Sequence, residues 1–169
     1  NTNMLYLPLA EICMMFGPTS DDPGLLSTGV KIEPSPQPSS DGKFGRIQAI
    51  NLQTGEMAWN FREVVPPASA TLSTGGGLVF VGTMDNRFVA FDETNGDKLW
   101  ENDLGDIPNS FPISYAVDGK QYVAVVVGQP SPFHASIWMG MVNEFLGDRS
   151  PLLNHTRSGP AIVVYALSE

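Results

Sequence analysis

The hydrophobic residues of this chain fall into short, strand-length groups, and helical periodicity is nearly absent. Most groups are rich in β-branched and aromatic residues and end at Gly, Asn, Asp or Pro, which is the pattern of β-strands joined by turns. Asp85-Asn86 and Asp118-Gly119 are expected hairpin turns, because these residues tolerate positive φ. The predicted strands are Met4–Leu9, Arg46–Asn51, Glu56–Arg62, Leu78–Gly82, Arg87–Asp92, Lys98–Glu101, Phe111–Val117, Lys120–Gly128 and Ala161–Leu167.

Two segments interrupt this regular spacing of strands. Gly17–Lys43 is rich in Pro, Ser, Gly and Asp, and Gln129–Ser158 is of similar length. Both are too long for ordinary connections in a compact domain. They are interpreted as insertions that carry specificity or contacts.

An internal repeat predicts the fold. Two segments match in spacing at an offset of 41 residues: Ala49-Ile-Asn51-Leu-Gln-Thr-Gly55-Glu-Met-Ala-Trp59 and Ala90-Phe-Asp92-Glu-Thr-Asn-Gly96-Asp-Lys-Leu-Trp100. A period of about 40 residues with four strands per unit is typical of a β-propeller blade. In each copy the Asn or Asp is expected to cap the turn and the Gly to adopt a left-handed conformation. Trp59 and Trp100 are interpreted as buried contacts between blades rather than as ligand platforms.

The predicted fold class is therefore all-β, a partial propeller of about two to three blades. Residues 1–62 form a partial blade with an insertion at 17–43, and residues 68–102 form a complete blade. Residues 111–169 form a last blade that lacks one strand and carries an insertion at 129–158. Because open blades expose hydrophobic faces, the remaining blades are expected from another chain or from sequence removed by cleavage.

Composition and charge exclude some functions. The chain has 169 residues and a net charge of −9, with nine Lys and Arg in all, which argues against a nucleic-acid partner. The acidity serves solubility or steers a basic partner. No apolar run approaches the length of about 18 residues that a membrane-spanning helix needs. The single cysteine, Cys13, lies among Ile12, Met14 and Met15 and is expected to be buried.

The repeats, together with the segments from Thr71 to Phe88 and from Tyr115 to Val125, resemble the C-terminal blades of the quinoprotein alcohol dehydrogenases. This is the methanol and ethanol dehydrogenase family that uses pyrroloquinoline quinone (PQQ). The resemblance implies a periplasmic, eight-bladed propeller with PQQ and Ca²⁺ in an axial funnel and a catalytic Asp that accepts the substrate proton. The family's calcium ligands and catalytic Asp lie upstream of the matching region, so the sequence assigns neither catalytic nor metal-binding residues to this chain.

Two segments face the cofactor according to this resemblance. The first is Ala68-Ser69-Ala70, where the family commonly has Trp followed by two glycines. The second is the loop Gly128-Gln129-Pro130, which is glycine-rich in the family. Both departures from the family pattern suggest a substrate other than methanol.

Phe133, His134 and Trp138 are candidate substrate contacts, since an aromatic, weakly charged loop suits an apolar wall for an alcohol. The alternative is that the loop packs over the propeller or against a partner chain. His134 could act as a base, but the family uses Asp, which favours packing or substrate contact. The expected partners are a larger chain that supplies the other blades, a small alcohol and a cytochrome c electron acceptor. A non-catalytic propeller scaffold, like the outer-membrane assembly lipoproteins, is the alternative function, although its blades would lack such long insertions.

Overall fold

The structure is a computed structural model that describes residues 2–18, 30–128, 137–153 and 158–166. Its elements follow one another almost entirely as strands. In chain order they are β1 (Met4–Ala10), β2 (Ile12–Pro18), β3 (Val30–Pro36), β4 (Gly45–Asn51), β5 (Met57–Glu63), β6 (Leu72–Ser73), β7 (Leu78–Gly82), β8 (Arg87–Asp92), β9 (Lys98–Asp103), β10 (Ile113–Val117), β11 (Lys120–Val127), α1 (Met139–Leu146), a short 3-10 turn (Gly147–Arg149) and β12 (Ala161–Ala166).

The strands build three antiparallel blades and one separate ribbon. The first blade has the order β1-β4-β5, the middle blade β6-β7-β8-β9 and the third blade β10-β11-β12, while β2 pairs with β3. The middle blade therefore has four described strands, and each neighbour has three. This arrangement confirms the predicted all-β, partial propeller.

Alternation along the middle blade explains how the blades pack. Successive side chains of a strand point to opposite faces. Both faces of β7 and β8 are buried, which explains the uninterrupted apolar runs at 78–81 and 88–91. One face meets the first blade, where the buried residues are Ile47, Ala49, Trp59, Val79, Val81, Val89 and Phe91. The other face meets the third blade, where they are Phe80, Phe88, Ala90, Leu104, Val123, Val125 and Val127. The core therefore lies between blades rather than within them.

The repeat forms the turns that its sequence predicts. The Asn51 carboxamide accepts the backbone N–H groups of Gln53 at 2.8 Å and Thr54 at 3.2 Å, and Asp92 accepts the N–H of Thr94 at 2.8 Å. The glycines that follow, Gly55 and Gly96, have φ of 72° and 76°. The expected hairpin residues Asn86 and Asp118 also have positive φ. These local predictions are confirmed.

Trp59 joins the first blade to the middle blade. Its indole lies against Gly96, where an added Cβ would come within 2.5 Å of Cε3, and its Nε1 donates a hydrogen bond to the Glu93 carbonyl at 3.0 Å. The Tyr6 hydroxyl donates to the same carbonyl at 3.2 Å. Two side chains of one blade thus hold one backbone oxygen of the next.

Trp100 meets the third blade differently. Its ring makes an edge contact with Tyr165, with centroids 5.1 Å apart, and 38% of the residue is exposed. The expected contact between blades is present, but the expected burial is wrong for the described residues. Trp59, at 7% exposure, is the buried member of the pair.

The first insertion joins β1 to β4, and the second joins β11 to β12. Both places correspond to the connection from β7 to β8 in the middle blade, so the two insertions emerge on the same side of the propeller, which we call the insertion side. In the middle blade the equivalent connection is the short turn from Thr83 to Asn86. The first insertion departs from the blade at Glu11 and forms the β2–β3 ribbon, a pairing that the sequence did not predict. Cys13 lies on the outer face of this ribbon and is exposed, so the prediction that it is buried is wrong.

The second insertion contains α1, which the sequence also did not predict. Together with both connections between blades it forms a hydrophobic layer over the middle blade, which we call the cap cluster. Its buried members are Phe44, Val65, Met84, Ile107, Met139, Met141, Val142 and Leu152. The short turn of the middle blade leaves room for α1 to cross above Met84. No helix in the described ranges has the length and apolar character needed to span a membrane.

Candidate functional site

The first predicted cofactor segment, residues 68–70, runs beside the end of β7. The N–H groups of Ala68 and Ser69 both donate to the Gly82 carbonyl, at 2.8 and 3.3 Å. The Ser69 hydroxyl accepts the N–H of Gly82 at 2.7 Å and donates to the Ala70 carbonyl at 2.8 Å. Ser69 is buried, and Ala68 and Ala70 are half-buried. The Ser69 hydroxyl therefore holds the segment against the end of β7. The methyl groups of Ala68 and Ala70 are the small apolar surface that the segment leaves accessible.

The second predicted cofactor segment begins at Gly128, which is buried at the end of β11. Its φ is +88°, and an added Cβ would meet the Pro160 backbone at 2.6 Å, so a larger residue does not fit. Its N–H donates to the Ile107 carbonyl at 2.9 Å, and its carbonyl accepts the Asn109 carboxamide. Gly128 and Pro160 bring the two ends of the second insertion into contact.

The two segments meet through Gly82. An added Cβ there would overlap the Pro108 ring and lie 3.2 Å from the Ser69 hydroxyl. Pro108 in turn forms a bridge with Val127, the residue before Gly128. A glycine at the end of β7 thus allows both the connection after β9 and the Ser69 hydroxyl to lie close to the same backbone position.

Trp138 immediately precedes α1 and is half-buried against the cap cluster. Ala68 packs against the same cluster. Phe145 at the other end of α1 makes an edge contact with Phe44, with centroids 5.3 Å apart. A predicted substrate residue and a predicted cofactor residue therefore share one hydrophobic support, to which both insertions contribute.

Four of the predicted site residues, Gln129, Pro130, Phe133 and His134, lie outside the described residues. Among the predicted residues that are described, Ala68, Ser69, Ala70, Gly128 and Trp138 all lie on the insertion side. The sequence did not single out Gly82, Pro108 or α1. The apolar positions 138, 139, 141, 142, 145 and 146 have helical spacing, which was the available signal for α1.

Ion pairs cluster at the outer edge of the insertion side, away from these segments. The Arg62 guanidinium pairs with Glu11 and Asp41, each at 2.7 Å, and its hydrogen bond holds the pKa of Asp41 below the ordinary value. A polar cavity of about 310 Å³ adjoins these residues. Among the described residues, no group of three or more His, Cys, Asp or Glu side chains is arranged to hold a metal ion.

A second ion-pair group joins the first blade to the middle blade. Arg87 pairs with Glu63 at 2.6 Å, Asp85 at 2.7 Å and Glu101 at 3.2 Å. Partial burial lowers the pKa of Arg87, but its hydrogen bonds to Asp85 and Glu63 outweigh this and raise it overall. Arg87 is therefore a permanent charge that fixes two blades together at their insertion side.

Comparison with known proteins gives a consistent set of relatives. The model of a family described as "PQQ: Glucose/ethanol/alcohol dehydrogenase, beta-propeller domain" matches residues 14–123. The quinohemoprotein alcohol dehydrogenase of Comamonas testosteroni is 41% identical over 92 residues, which cover 54% of this chain and 13% of that protein. The quinoprotein alcohol dehydrogenase PedE of Pseudomonas putida is 33% identical over 127 residues, 75% of this chain and 19% of that protein.

The fold is similar to a solved structure titled as a europium-containing methanol dehydrogenase. The TM-score is 0.74 at 28% identity, and the match covers 97% of this chain and 31% of that one. The chain thus spans less than a third of the length of each of these three relatives.

Proposed function

Because the chain belongs to the PQQ-dependent glucose/ethanol/alcohol dehydrogenase β-propeller family, we propose that it forms C-terminal blades of a PQQ-dependent alcohol dehydrogenase. In this proposal its insertion side contributes part of the wall of the cofactor funnel. The observation that carries the proposal is the convergence of residues 68–70, Gly128 and Trp138 around Gly82 and the cap cluster. These segments are far apart in sequence, and the fold gathers them on one side of the propeller.

The residues present suit a wall for PQQ rather than a set of ligands. Ala68 and Ala70 offer small apolar surfaces, while the Ser69 hydroxyl and the Gly128 carbonyl already have backbone or side-chain partners. Bound PQQ supplies the acceptor for the hydride of the alcohol. This chain's contribution is to leave room beside the quinone and to exclude water from it. Gln129 and Pro130 continue this wall in the proposal.

The metal in the proposal is Ca²⁺, held on a part of the propeller outside this chain. Ca²⁺ takes six to eight oxygen ligands at one place, and the described residues offer no cluster of carboxylates for it. One structural relative is titled as containing europium, another hard cation. Loading the protein with each ion in turn therefore belongs in the test of this proposal.

Trp138 supports an apolar wall on the substrate side. Its indole rests on the cap cluster, so its position is fixed by packing. Phe133 and His134 precede it closely in sequence and complete the wall in the proposal, with His134 as a substrate contact rather than a base. The alkyl part of an alcohol matches such a surface.

The proposed partners are a larger chain or chain segment that supplies the other blades and a cytochrome c that accepts electrons in the periplasm. The exposed apolar residues of the third blade support the first partner. Ile162 is 70% exposed and Ile113 is 56% exposed, as expected for a blade face that another blade covers.

The experiment uses the complete protein that contains this sequence. We expect it to bind PQQ in the presence of Ca²⁺ or a lanthanide ion, to show quinone absorption beyond the protein band, and to oxidise primary alcohols with an artificial electron acceptor. A protein that folds but takes up no quinone with either ion contradicts the proposal and favours the non-catalytic scaffold.

The substrate wall has its own test. Replacing Phe133 by Ala is expected to relax discrimination toward bulkier alcohols, because one methylene in an apolar pocket contributes about 1–3 kcal/mol. The ratio of kcat/KM for a long and a short alcohol measures this. Phe16→Ala is the matched control, since Phe16 is exposed on the β2–β3 ribbon. Loss of the quinone spectrum in Phe133→Ala, with the substrate ranking unchanged, would show that the loop supports the cofactor instead.

A further inference from the structure

The connection between the middle and third blades, residues 104–112, holds both ends of the second insertion. At the outgoing end, the Gly128 N–H donates to the Ile107 carbonyl at 2.9 Å, and the Asn109 carboxamide donates to the Gly128 carbonyl. At the returning end, the Ser158 N–H donates to the Gly105 carbonyl at 3.0 Å. Three residues of one connection, Gly105, Ile107 and Asn109, therefore close the neck of an insertion whose ends lie about 30 residues apart.

Asp106 is the charged residue at the centre of this neck. It is 1% exposed, and its carboxylate takes part in none of the ion pairs found among the described residues. Oδ1 accepts the N–H of Ile107 at 2.8 Å, and Oδ2 accepts the N–H of Gly159 at 3.0 Å. A buried carboxylate is unfavourable unless hydrogen bonds compensate it, and bonds to an ionised acceptor are the strong ones. Its two oxygens therefore tie the returning chain to the connection.

The same connection touches the other half of the candidate site. Pro108 lies against Gly82, whose N–H donates to the Ser69 hydroxyl at 2.7 Å. Ile107 is 1% exposed within the cap cluster, against which Ala68 and Trp138 also pack. A short, buried and hydrogen-bonded path thus runs from residues 68–70 to the neck of the insertion. A displacement of the neck is therefore transmitted to residues 68–70 through packed and hydrogen-bonded residues.

From this geometry we infer that Asp106 is a positioning residue, which fixes the second insertion relative to residues 68–70 and thereby sets the discrimination among alcohols. The inference rests on the proposed function for its link to substrates, but its structural half does not. In Asp106→Asn the side chain keeps one acceptor oxygen, and its NH₂ group opposes an N–H donor of the backbone. The neck should loosen while the blades stay folded.

The test compares Asp106→Asn with Asp103→Asn in the complete protein. Asp103 lies in the same stretch of chain, but it is exposed and its carboxylate accepts one hydrogen bond, from the N–H of Gly105 at 2.7 Å, which the carboxamide oxygen of Asp103→Asn can still accept. Hydrogen exchange is measured first, with no cofactor required. We expect exchange at Gly159 and the start of β12 to rise at least about tenfold in Asp106→Asn, with β7 and β8 unchanged, and no such rise in Asp103→Asn.

The second measurement is the ratio of kcat/KM for a long and a short alcohol at matched PQQ content. Small displacements of a positioning element change rates up to about a hundredfold, so we expect the ratio in Asp106→Asn to change at least about fivefold. Asp106→Glu, which retains the charge but moves it by one methylene, should lie between the parent and Asp106→Asn. If Asp106→Asn does not fold, Asp106→Glu serves alone.

The two proposals fail in different ways. A complete protein without quinone uptake contradicts the proposed function, and the exchange result still decides whether Asp106 holds the neck. An active protein whose substrate ratio is the same in Asp106→Asn and Asp103→Asn overturns the positioning role. Equal exchange at Gly159 in both variants overturns it as well, as does exchange that rises uniformly across all blades.

Discussion

Replacing Gly96 by Ala tests how the first blade is held to the middle blade. Gly96 is buried beneath the Trp59 indole, and an added Cβ would lie 2.5 Å from Cε3 and 2.7 Å from Cδ2. The indole cannot retreat without loss, because its Nε1 is hydrogen-bonded to the Glu93 carbonyl at 3.0 Å. An added methyl group at residue 96 therefore collides with an indole ring that its hydrogen bond to Glu93 holds in place.

The expected loss has two parts. A left-handed φ costs a residue with a Cβ about 1–2 kcal/mol, and an extra methyl group in a well-packed contact costs about 1–3 kcal/mol. Gly96→Ala should therefore destabilise the protein by about 2–5 kcal/mol. Gly77→Ala is the matched control, because Gly77 belongs to the same blade and has φ of +82°, but the atoms nearest to an added Cβ belong to the flexible Glu93 side chain at 3.9 Å. The control should show the backbone cost alone.

Urea unfolding followed by circular dichroism gives the free energies, and a double-mutant cycle with Trp59→Ala isolates the contact. Trp59→Ala alone should cost about 3–5 kcal/mol. In the Trp59→Ala background, Gly96→Ala should cost no more than Gly77→Ala does. Equal costs for the two glycine variants in the parent protein would refute the reasoning, because the indole would then not restrict the turn.

Two further predictions concern the insertion side and its charges. Gly128→Ala should destabilise the protein by about 2–5 kcal/mol, since its Cβ meets Pro160 at 2.6 Å; a loss in the free energy of unfolding in urea of less than about 1 kcal/mol would contradict this. Lys98 and then Arg87 hydrogen-bond Glu101 and hold its pKa below the ordinary 4.5, so its contribution is present above that value and is lost as pH falls through the folded pKa. The melting temperature of Glu101→Gln should therefore fall less than that of the parent between about pH 5 and pH 3. Parallel curves of melting temperature against pH for the two proteins would contradict this prediction.

Residues that act locally were predictable from the sequence. The turn at Asp92 and Gly96 depends on a cap and a positive φ within five residues, and both are visible in the repeat. The two central strands of the middle blade, β7 and β8, are apolar on both faces, which also shows in the sequence. These features allow the fold to be predicted from the sequence. The fold in turn places residues 68–70 and Gly128 on the insertion side.

The cap cluster was not predictable in the same way. Phe44 and Val142 meet only because two insertions fold over one short turn, and no local pattern encodes that meeting. α1 is eight residues long and contains Gly140, so its helical signal is weak. The role of Asp106 could not be predicted from the sequence, because its partner Gly159 lies 53 residues away. A single Asp in a connection gives no sequence pattern that indicates such a contact.

The acceptor that Tyr6 and Trp59 share is a main-chain oxygen, that of Glu93. Every residue has such an oxygen, so the receiving blade needs the correct turn but no particular side chain at that position. The side chains that join the two blades by these hydrogen bonds therefore belong to the donor blade. A duplicated blade can dock onto a neighbour whose sequence has drifted, provided that the turn keeps its shape. This asymmetry suits a protein that grows by repeating one unit, because each copy brings its own means of attachment.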